Sequence, residues 1–175
     1  MVVLRATQKV LRLLPQQGHS PGASDTALGD WYVNRIVISR QRLLLLVSEK
    51  SLLSILTPAR DVKELPERLA ETVAARLRRL GIDDAVVAAE IAAMSVVAVA
   101  KTADRSVTGQ MVDFAKHLTY YMPENGWSEW DLQAAEGKLA QMPCRASGPF
   151  DKVIFPRDAA LRLLAHAWSG HGVRH

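Results

Sequence analysis

Residues 31–57 decide the fold of this chain, and they read WYVNRIVISRQRLLLLVSEKSLLSILT. The first part is rich in β-branched and aromatic residues, and the middle part is continuously apolar, which are patterns typical of β-strands. The predicted strands are residues 31–39, 42–48 and 52–57, with turns at Arg40-Gln41 and Glu49-Lys50. Three strands joined by such short turns predict an antiparallel meander. Because the middle strand is apolar on both faces, we expect it to be central and buried.

Further strands and helices surround the meander. Strands are predicted at residues 1–6 and 95–100, and helices at 8–14, 65–80, 83–94, and from Ser106, Ser128 and Pro156 onward. Thr7, Asp83, Ser106 and Ser128 are the expected N-caps, Asp61 with Glu64 resembles a capping box, and Gly81 is an expected helix stop. The order β-α-β-β-β-α-α-β-α-α-α predicts an α+β fold, with one mixed, mainly antiparallel sheet of about five strands and helices packed on it. We expect one domain over residues 1–168 and a frayed tail over 169–175.

The segment 16–27, QQGHSPGASDTA, is rich in glycine, proline and serine. It offers little apolar surface to bury, so we expect a mobile loop.

The composition indicates a soluble, cytoplasmic protein. The chain has 175 residues, of which 49% are hydrophobic and 23% charged, and it has one cysteine, Cys144. A lone cysteine cannot form an internal disulfide and fits a reducing compartment. The longest apolar run, residues 43–47, is too short to span a bilayer, and the amino terminus lacks the pattern of a signal peptide.

The charge is unevenly distributed along the chain. The net charge is +4, and residues 1–60 contain eight Lys or Arg but three Asp or Glu. A basic bias favours contact with phosphate groups, although such a balance is also common in proteins that bind no nucleic acid.

Established catalytic and cofactor motifs are missing. The sequence has no Walker phosphate loop, no G-x-G-x-x-G and no H-E-x-x-H. We therefore predict no cofactor and no metal site, and we assign no catalytic residue. Cys144 is expected to be a structural thiol.

Two strand-to-helix junctions carry the same chemistry. Thr7 and Lys9 follow the first strand, and Lys101, Thr102, Arg105 and Ser106 follow the last strand. Hydroxyls, cations and free amides at a helix start favour anions. If the two strands are parallel neighbours, these six residues form one site for a phosphate-containing ligand, such as a nucleotide or nucleic acid. The competing interpretation is that Thr7 and Ser106 are ordinary helix caps and that the cations are solvated.

Other functions remain open at this level. Trp31-Tyr32 with Asn34 and Arg35 could contact a base, although aromatic residues on strands are more often core. A toxin-like enzyme of nucleotide or nucleic-acid metabolism would need a general base, for which Asp104, Asp113 and His117 are the nearby candidates. A protein-interaction module, or a homo-oligomer, would use a surface around Trp127 and Trp130.

Several segments resemble a family of uncharacterised bacterial proteins, a domain of unknown function. They are Ala6-Thr7-Gln8-Lys9, Leu28-Gly29-Asp30-Trp31-Tyr32, Leu65-Pro66-Glu67-Arg68, and the segment 101–114 with the pattern K-T-x-x-R-S-V-x-G-x-M-x-D-F, to which Met142-Pro143-Cys144 is an addition. Thr108 and Val112 depart from that pattern, in which leucine and asparagine are usual. The resemblance covers roughly residues 1–115 and implies a bacterial, cytoplasmic protein. It implies no reaction, cofactor or partner.

Overall fold

A five-stranded mixed sheet forms the centre of the computed structural model, which describes residues 1–15, 18–121, 123, 125–146 and 152–170. The strands are β1 Val2–Ala6, β2 Trp31–Ile38, β3 Gln41–Ser48, β4 Ser54–Pro58 and β5 Val97–Lys101. Their order across the sheet is β4-β3-β2-β1-β5. β1 runs parallel to β2 and to β5, whereas β2, β3 and β4 are antiparallel. The predicted α+β class and the meander are therefore confirmed.

Six helices occur in the described part of the chain. They are α1 Gln8–Leu11, α2 Leu65–Arg79, α3 Asp84–Ala93, α4 Arg105–Leu118, α5 Glu129–Ala140 and α6 Pro156–Trp168. Short 3-10 segments precede α2, at Ala59–Glu64, and follow α4, at Thr119–Tyr121. Among the described residues, no helix combines the length and the apolar character needed to cross a membrane.

A small hairpin, β6 Cys144–Ala146 with β7 Lys152–Ile154, lies outside the main sheet. It was not predicted, because strands of three residues are too short to show a two-residue periodicity. The predicted tail covers residues 169–175, of which 171–175 lie outside the described residues.

Helices cover both faces of the sheet. One core includes Leu44 and Leu46 and the buried sides of α2, α3 and α6, and the other includes Leu43, Leu45 and the buried sides of α4 and α5. All residues from 43 to 47 are at most 3% exposed. β3 is hydrogen-bonded to a neighbour on each side, so the predicted burial is confirmed, but the central strand of the five is β2 and β3 lies next to the edge strand β4.

Three local predictions about the meander and α2 were wrong. The first turn lies at Ser39 and Arg40, because Ile38 pairs with Gln41, and the φ angles of 47° and 67° fit the twist of a two-residue hairpin. The second connection of the meander is longer than the predicted two-residue turn at Glu49-Lys50, because Val47 pairs with Ser54 and β4 begins there rather than at residue 52. Asp61 and Glu64 form no capping box, because a 3-10 segment occupies this stretch before α2 begins.

Other predicted helix ends are confirmed. Asp83 accepts a hydrogen bond from the Ala85 N–H at the start of α3. Ser128 and Asp131 form a reciprocal capping box at the start of α5. Gly81 follows α2 with a φ of 78°, a left-handed conformation that favours glycine.

The end of the loop over residues 16–27 is anchored by the buried Glu90. Its carboxylate accepts the N–H groups of Ala27 and Leu28 and the Nε1–H of Trp168. Thr26 is 3% exposed, so this end of the loop belongs to the core. Gln16 and Gln17 lie outside the described residues, and mobility of the exposed part stays a prediction.

Candidate functional site

The first and last strands of the main sheet are parallel neighbours, with Ala6 opposite Lys101. The Thr102 N–H donates to the Ala6 carbonyl over 3.3 Å, and the Thr7 N–H donates to the Val33 carbonyl over 3.1 Å. Because parallel strands end at the same edge, both strand-to-helix junctions lie at one end of the sheet. This is the arrangement on which the predicted site depends.

Thr7 does not cap α1 with its side chain. It occupies the N-cap position, but its hydroxyl donates to the Asn34 Oδ1 over 2.8 Å. The helix that follows has four residues rather than the predicted seven. A single turn aligns few peptide dipoles, so the predicted cap was wrong and we expect little contribution from this helix start to the attraction of an anion.

Asp104, and not Ser106, is the N-cap of α4. Its Oδ1 accepts both the Ser106 N–H and the Ser106 hydroxyl, each over 2.7 Å. The predicted cap was therefore wrong: the stronger acceptor stands two residues earlier, where its charge also complements the helix dipole. A carboxylate of the protein thus occupies the place at which an external anion was expected.

Three cations at this edge remain available. Lys9, Lys101 and Arg105 are exposed, and within the residues that the structure describes none of them forms a salt bridge. Thr102 is partly exposed beside them. The groups at this edge that can bind an anion are therefore charged side chains rather than backbone amides at a helix start.

A polar network that we did not predict from the sequence lies next to this edge. Arg5 Nε donates to Asp30 Oδ2 over 2.7 Å, and Arg5 Nη1 reaches the Lys101 carbonyl over 3.4 Å. The Asp104 N–H donates to the Tyr32 hydroxyl oxygen over 3.2 Å. Burial raises the pKa of Tyr32, and the hydrogen bond from Asp104 partly opposes that shift. The network fixes the end of β5 and the start of α4 relative to β1 and β2.

The only sequence signal for this network was the segment Asp30-Trp31-Tyr32, which carries part of the family resemblance. Trp31 and Tyr32 are themselves fully buried, so the suggestion that either stacks on a base was wrong. Alternation along β2 places one in each core.

The other candidate residues are spread over the surface. His117 Nδ1 contacts the Asp113 carbonyl over 2.8 Å within α4, and Asp113 lies about 12 Å along the helix from Arg105. Trp130 is 77% exposed on α5, whereas Trp127 is largely covered. Among the described residues, no cluster of three or more His, Cys, Asp or Glu side chains is placed to hold a metal ion.

Comparison with known proteins gives a family but no activity. No curated protein matches the chain. The model of one family, described as a domain of unknown function (DUF6933), matches residues 3–159, which include all of the main sheet except Val2, and the edge described above. The chain therefore belongs to the DUF6933 family.

Proposed function

We propose that the protein binds a phosphate-containing ligand at the edge where β1 and β5 end. The observation that carries the proposal is the presence there of three exposed cations, Lys9, Lys101 and Arg105, that pair with no carboxylate in the described residues. Lysine supplies point charges, and the arginine guanidinium can hold a phosphate through two parallel hydrogen bonds. Thr102 is the hydroxyl donor best placed to join them.

Thr7 and Ser106 have a positioning role in this proposal. The Thr7 hydroxyl is bonded to Asn34, and Ser106 is bonded to Asp104, so both hold the backbone near the cations. Such a ligand is a nucleotide or the phosphate of a nucleic acid. The proposed setting is the bacterial cytoplasm, for which the single buried thiol of Cys144 is suited.

The arrangement favours binding over catalysis. Asp104 is the carboxylate nearest to the cations, and its Oδ1 already accepts two hydrogen bonds from Ser106. Asp113 and His117 lie further along α4 and contact each other through a carbonyl. Of the three candidates that the enzyme alternative named, only Asp104 therefore lies beside the cations, and one of its two oxygens already accepts hydrogen bonds from Ser106.

Calorimetric titration with ATP and with inorganic pyrophosphate, in a dilute chloride buffer, tests the proposal. Replacing the three cations together, as Lys9→Gln, Lys101→Gln and Arg105→Gln, should weaken binding by at least about tenfold, since each lost hydrogen bond to a charged group is worth about 1.5–3 kcal/mol. The matched control removes the same charge elsewhere, as Lys50→Gln, Lys116→Gln and Arg162→Gln, and should change the affinity less than about twofold. Equal losses in both variants, or wild-type protein that binds neither compound, would contradict the proposal.

A second candidate function rests on Trp130. A tryptophan that is 77% exposed on a helix is unusual, and it lies beside a cleft of about 410 Å³ between α2 and α5. This favours a protein-interaction module or a homo-oligomer. Sedimentation at several concentrations tests it: a wild-type oligomer that Trp130→Ala converts to monomer would support this candidate, and a monomeric wild type would contradict the homo-oligomer.

A further inference from the structure

A second basic surface lies at the tip of the β2–β3 hairpin, away from the residues of the proposed phosphate site. It is an open cleft of about 750 Å³. Four arginines line it, Arg35, Arg40, Arg42 and Arg60, and the described lining residues include no carboxylate. Because β2 is parallel to β1 and β5, this tip points to the same end of the sheet as Lys101.

The arginines are poorly neutralised by the protein itself. In the part of the chain that the structure describes, Arg35, Arg40 and Arg42 form no salt bridge. Arg60 Nε lies 3.9 Å from Asp61 Oδ1, and the two side chains are 82% and 43% exposed. A pair of that length and exposure is worth little. The cleft thus concentrates positive charge without an internal counterion, which favours an external anion.

Arg35 and Arg42 project from the same face of the hairpin. Arg35 pairs with Leu44 and Arg42 pairs with Val37, so the two arginines are diagonal neighbours across β2 and β3. Like charges at this spacing repel one another, and phosphates placed between them relieve the repulsion. Arg40 stands in the turn at the tip, with a φ of 67°.

The inner wall of the cleft is apolar. Leu43, Leu132 and Trp127 contribute to it, and they belong to the core on the opposite face of the sheet from Arg35 and Arg42 or pack against that core. The Trp127 N–H donates to Gln41 Oε1 over 2.9 Å, which attaches this segment to the start of β3. Gly126 before it has a φ of 87°, and a Cβ there would collide with Gln41 Nε2. The apolar wall is therefore fixed beside the start of β3, where β3 extends beyond its last pair with β4, and Arg42 lies on the other face of this same strand.

We propose that this cleft binds single-stranded nucleic acid. The arginines hold successive phosphates through bidentate hydrogen bonds, and an unpaired base lies against the apolar wall beside Trp127 where the nucleic acid passes around the edge of β3 beyond Pro58. In a duplex the bases are stacked inside, so its phosphates can contact the arginines but no base contacts the apolar wall. This inference shares no residue with the proposed phosphate site and does not depend on it.

Fluorescence anisotropy with a labelled oligothymidylate of roughly 12 nucleotides, within the usual site size, tests the inference. The variant with Arg35→Gln, Arg42→Gln and Arg60→Gln should bind at least about tenfold more weakly. Its plot of log affinity against log salt should be shallower by about 2, because each lost phosphate contact on a single strand contributes about 0.7.

Arg40→Gly separates binding from folding. Glycine adopts the φ of 67° without strain, so this variant should unfold at a temperature no lower than the wild type. It nevertheless removes one cation from the rim and should bind the oligothymidylate several-fold more weakly. Unchanged affinity in this variant and in the triple variant would overturn the inference.

Two controls distinguish this cleft from the first site and from general charge. The Lys50→Gln, Lys116→Gln and Arg162→Gln variant should keep wild-type affinity for the oligothymidylate, and so should the Lys9→Gln, Lys101→Gln and Arg105→Gln variant. If only the Lys9→Gln, Lys101→Gln and Arg105→Gln variant lost affinity for the oligothymidylate, the inference would be overturned and the proposed function would be unaffected. Equal or tighter binding of a duplex of the same length, or equal competition by polyglutamate, would also overturn it.

Discussion

The Cys144 thiol is 2% exposed in the core between the sheet, α4 and α5. Burial raises the pKa of Cys144 from 9.0 to about 11, and the charge of Asp113 adds to the shift. The unfolded chain therefore ionises this thiol at a lower pH than the folded chain does. The stability that follows from this difference is complete below pH 9 and is lost as the pH rises from about 9 to 11.

Urea unfolding followed between pH 8 and 11 measures this loss. The free energy of unfolding of the wild type should fall by up to about 3 kcal/mol more than that of Cys144→Ala, from 1.36 kcal/mol per unit of pKa. The pKa of Tyr32 is also raised by burial, and its contribution has the same sign, but it is present in both proteins and cancels in the comparison. Parallel pH profiles for the two proteins would show that Cys144 ionises alike in the folded and unfolded chains.

At the scale of elements, the outer edge of strand β4 is hydrogen-bonded to side chains rather than to another strand. Glu136 of α5 accepts the Leu56 N–H over 2.9 Å, and Arg76 of α2 donates to the Ser54 carbonyl over 3.0 Å. The two side chains are 1% and 4% exposed and also pair with each other over 3.4 Å. Burial lowers the pKa of Arg76, and the charge of Glu136 opposes that shift. The pair thus occupies the backbone groups through which an edge strand would recruit another chain.

Glu136→Ala should lower the free energy of unfolding by about 3–5 kcal/mol, because it leaves the buried Arg76 without its counterion. Chemical denaturation measures the loss, and light scattering reports any association through the opened edge. Glu71→Ala, which removes a carboxylate that is 74% exposed, should cost less than about 1 kcal/mol. The double variant Arg76→Met with Glu136→Met should be more stable than Glu136→Ala. The reverse order would show that the hydrogen bonds to β4, and not the unpaired charge, dominate.

A second prediction at this scale concerns the interior strand β3. Leu45 is fully buried, so Leu45→Ala should cost about 2–5 kcal/mol in the free energy of unfolding. Val37 on the neighbouring strand is 61% exposed, and Val37→Ala should change stability by less than about 0.5 kcal/mol. A loss at Leu45 as small as that at Val37 would contradict the packing described for the second core.

For the molecule as a whole, the features that could be predicted from the sequence are those that local residue patterns determine. The meander, the cap at Asp83 and the stop at Gly81 each depend on a few neighbouring residues, and the structure confirms them. The choice of cap before α4 was wrong because Asp104 and Ser106 are both good N-caps, and only the path of the backbone selects between them.

Non-local features could be predicted only in part. The pairing of β1 with β5 was an assumption of the predicted site, since nothing near either strand specifies its neighbour. The arginine cleft combines Arg35 and Arg42 with Arg60 and with Trp127, which lies far away along the chain. Its one sequence signal is the stretch 34–42, which holds three arginines and no acidic residue.

The position of β1 between β2 and β5 has a consequence for the order of folding. The meander pairs residues that are close along the chain, whereas β1 and β5 join residues about 95 positions apart. Closing so long a loop is entropically costly and is typical of a late step. During synthesis the first strand therefore emerges long before one of its two partners exists. The cationic edge at Lys101 is complete only after that last strand has docked, so any ligand that binds there binds a chain that has already finished folding its sheet.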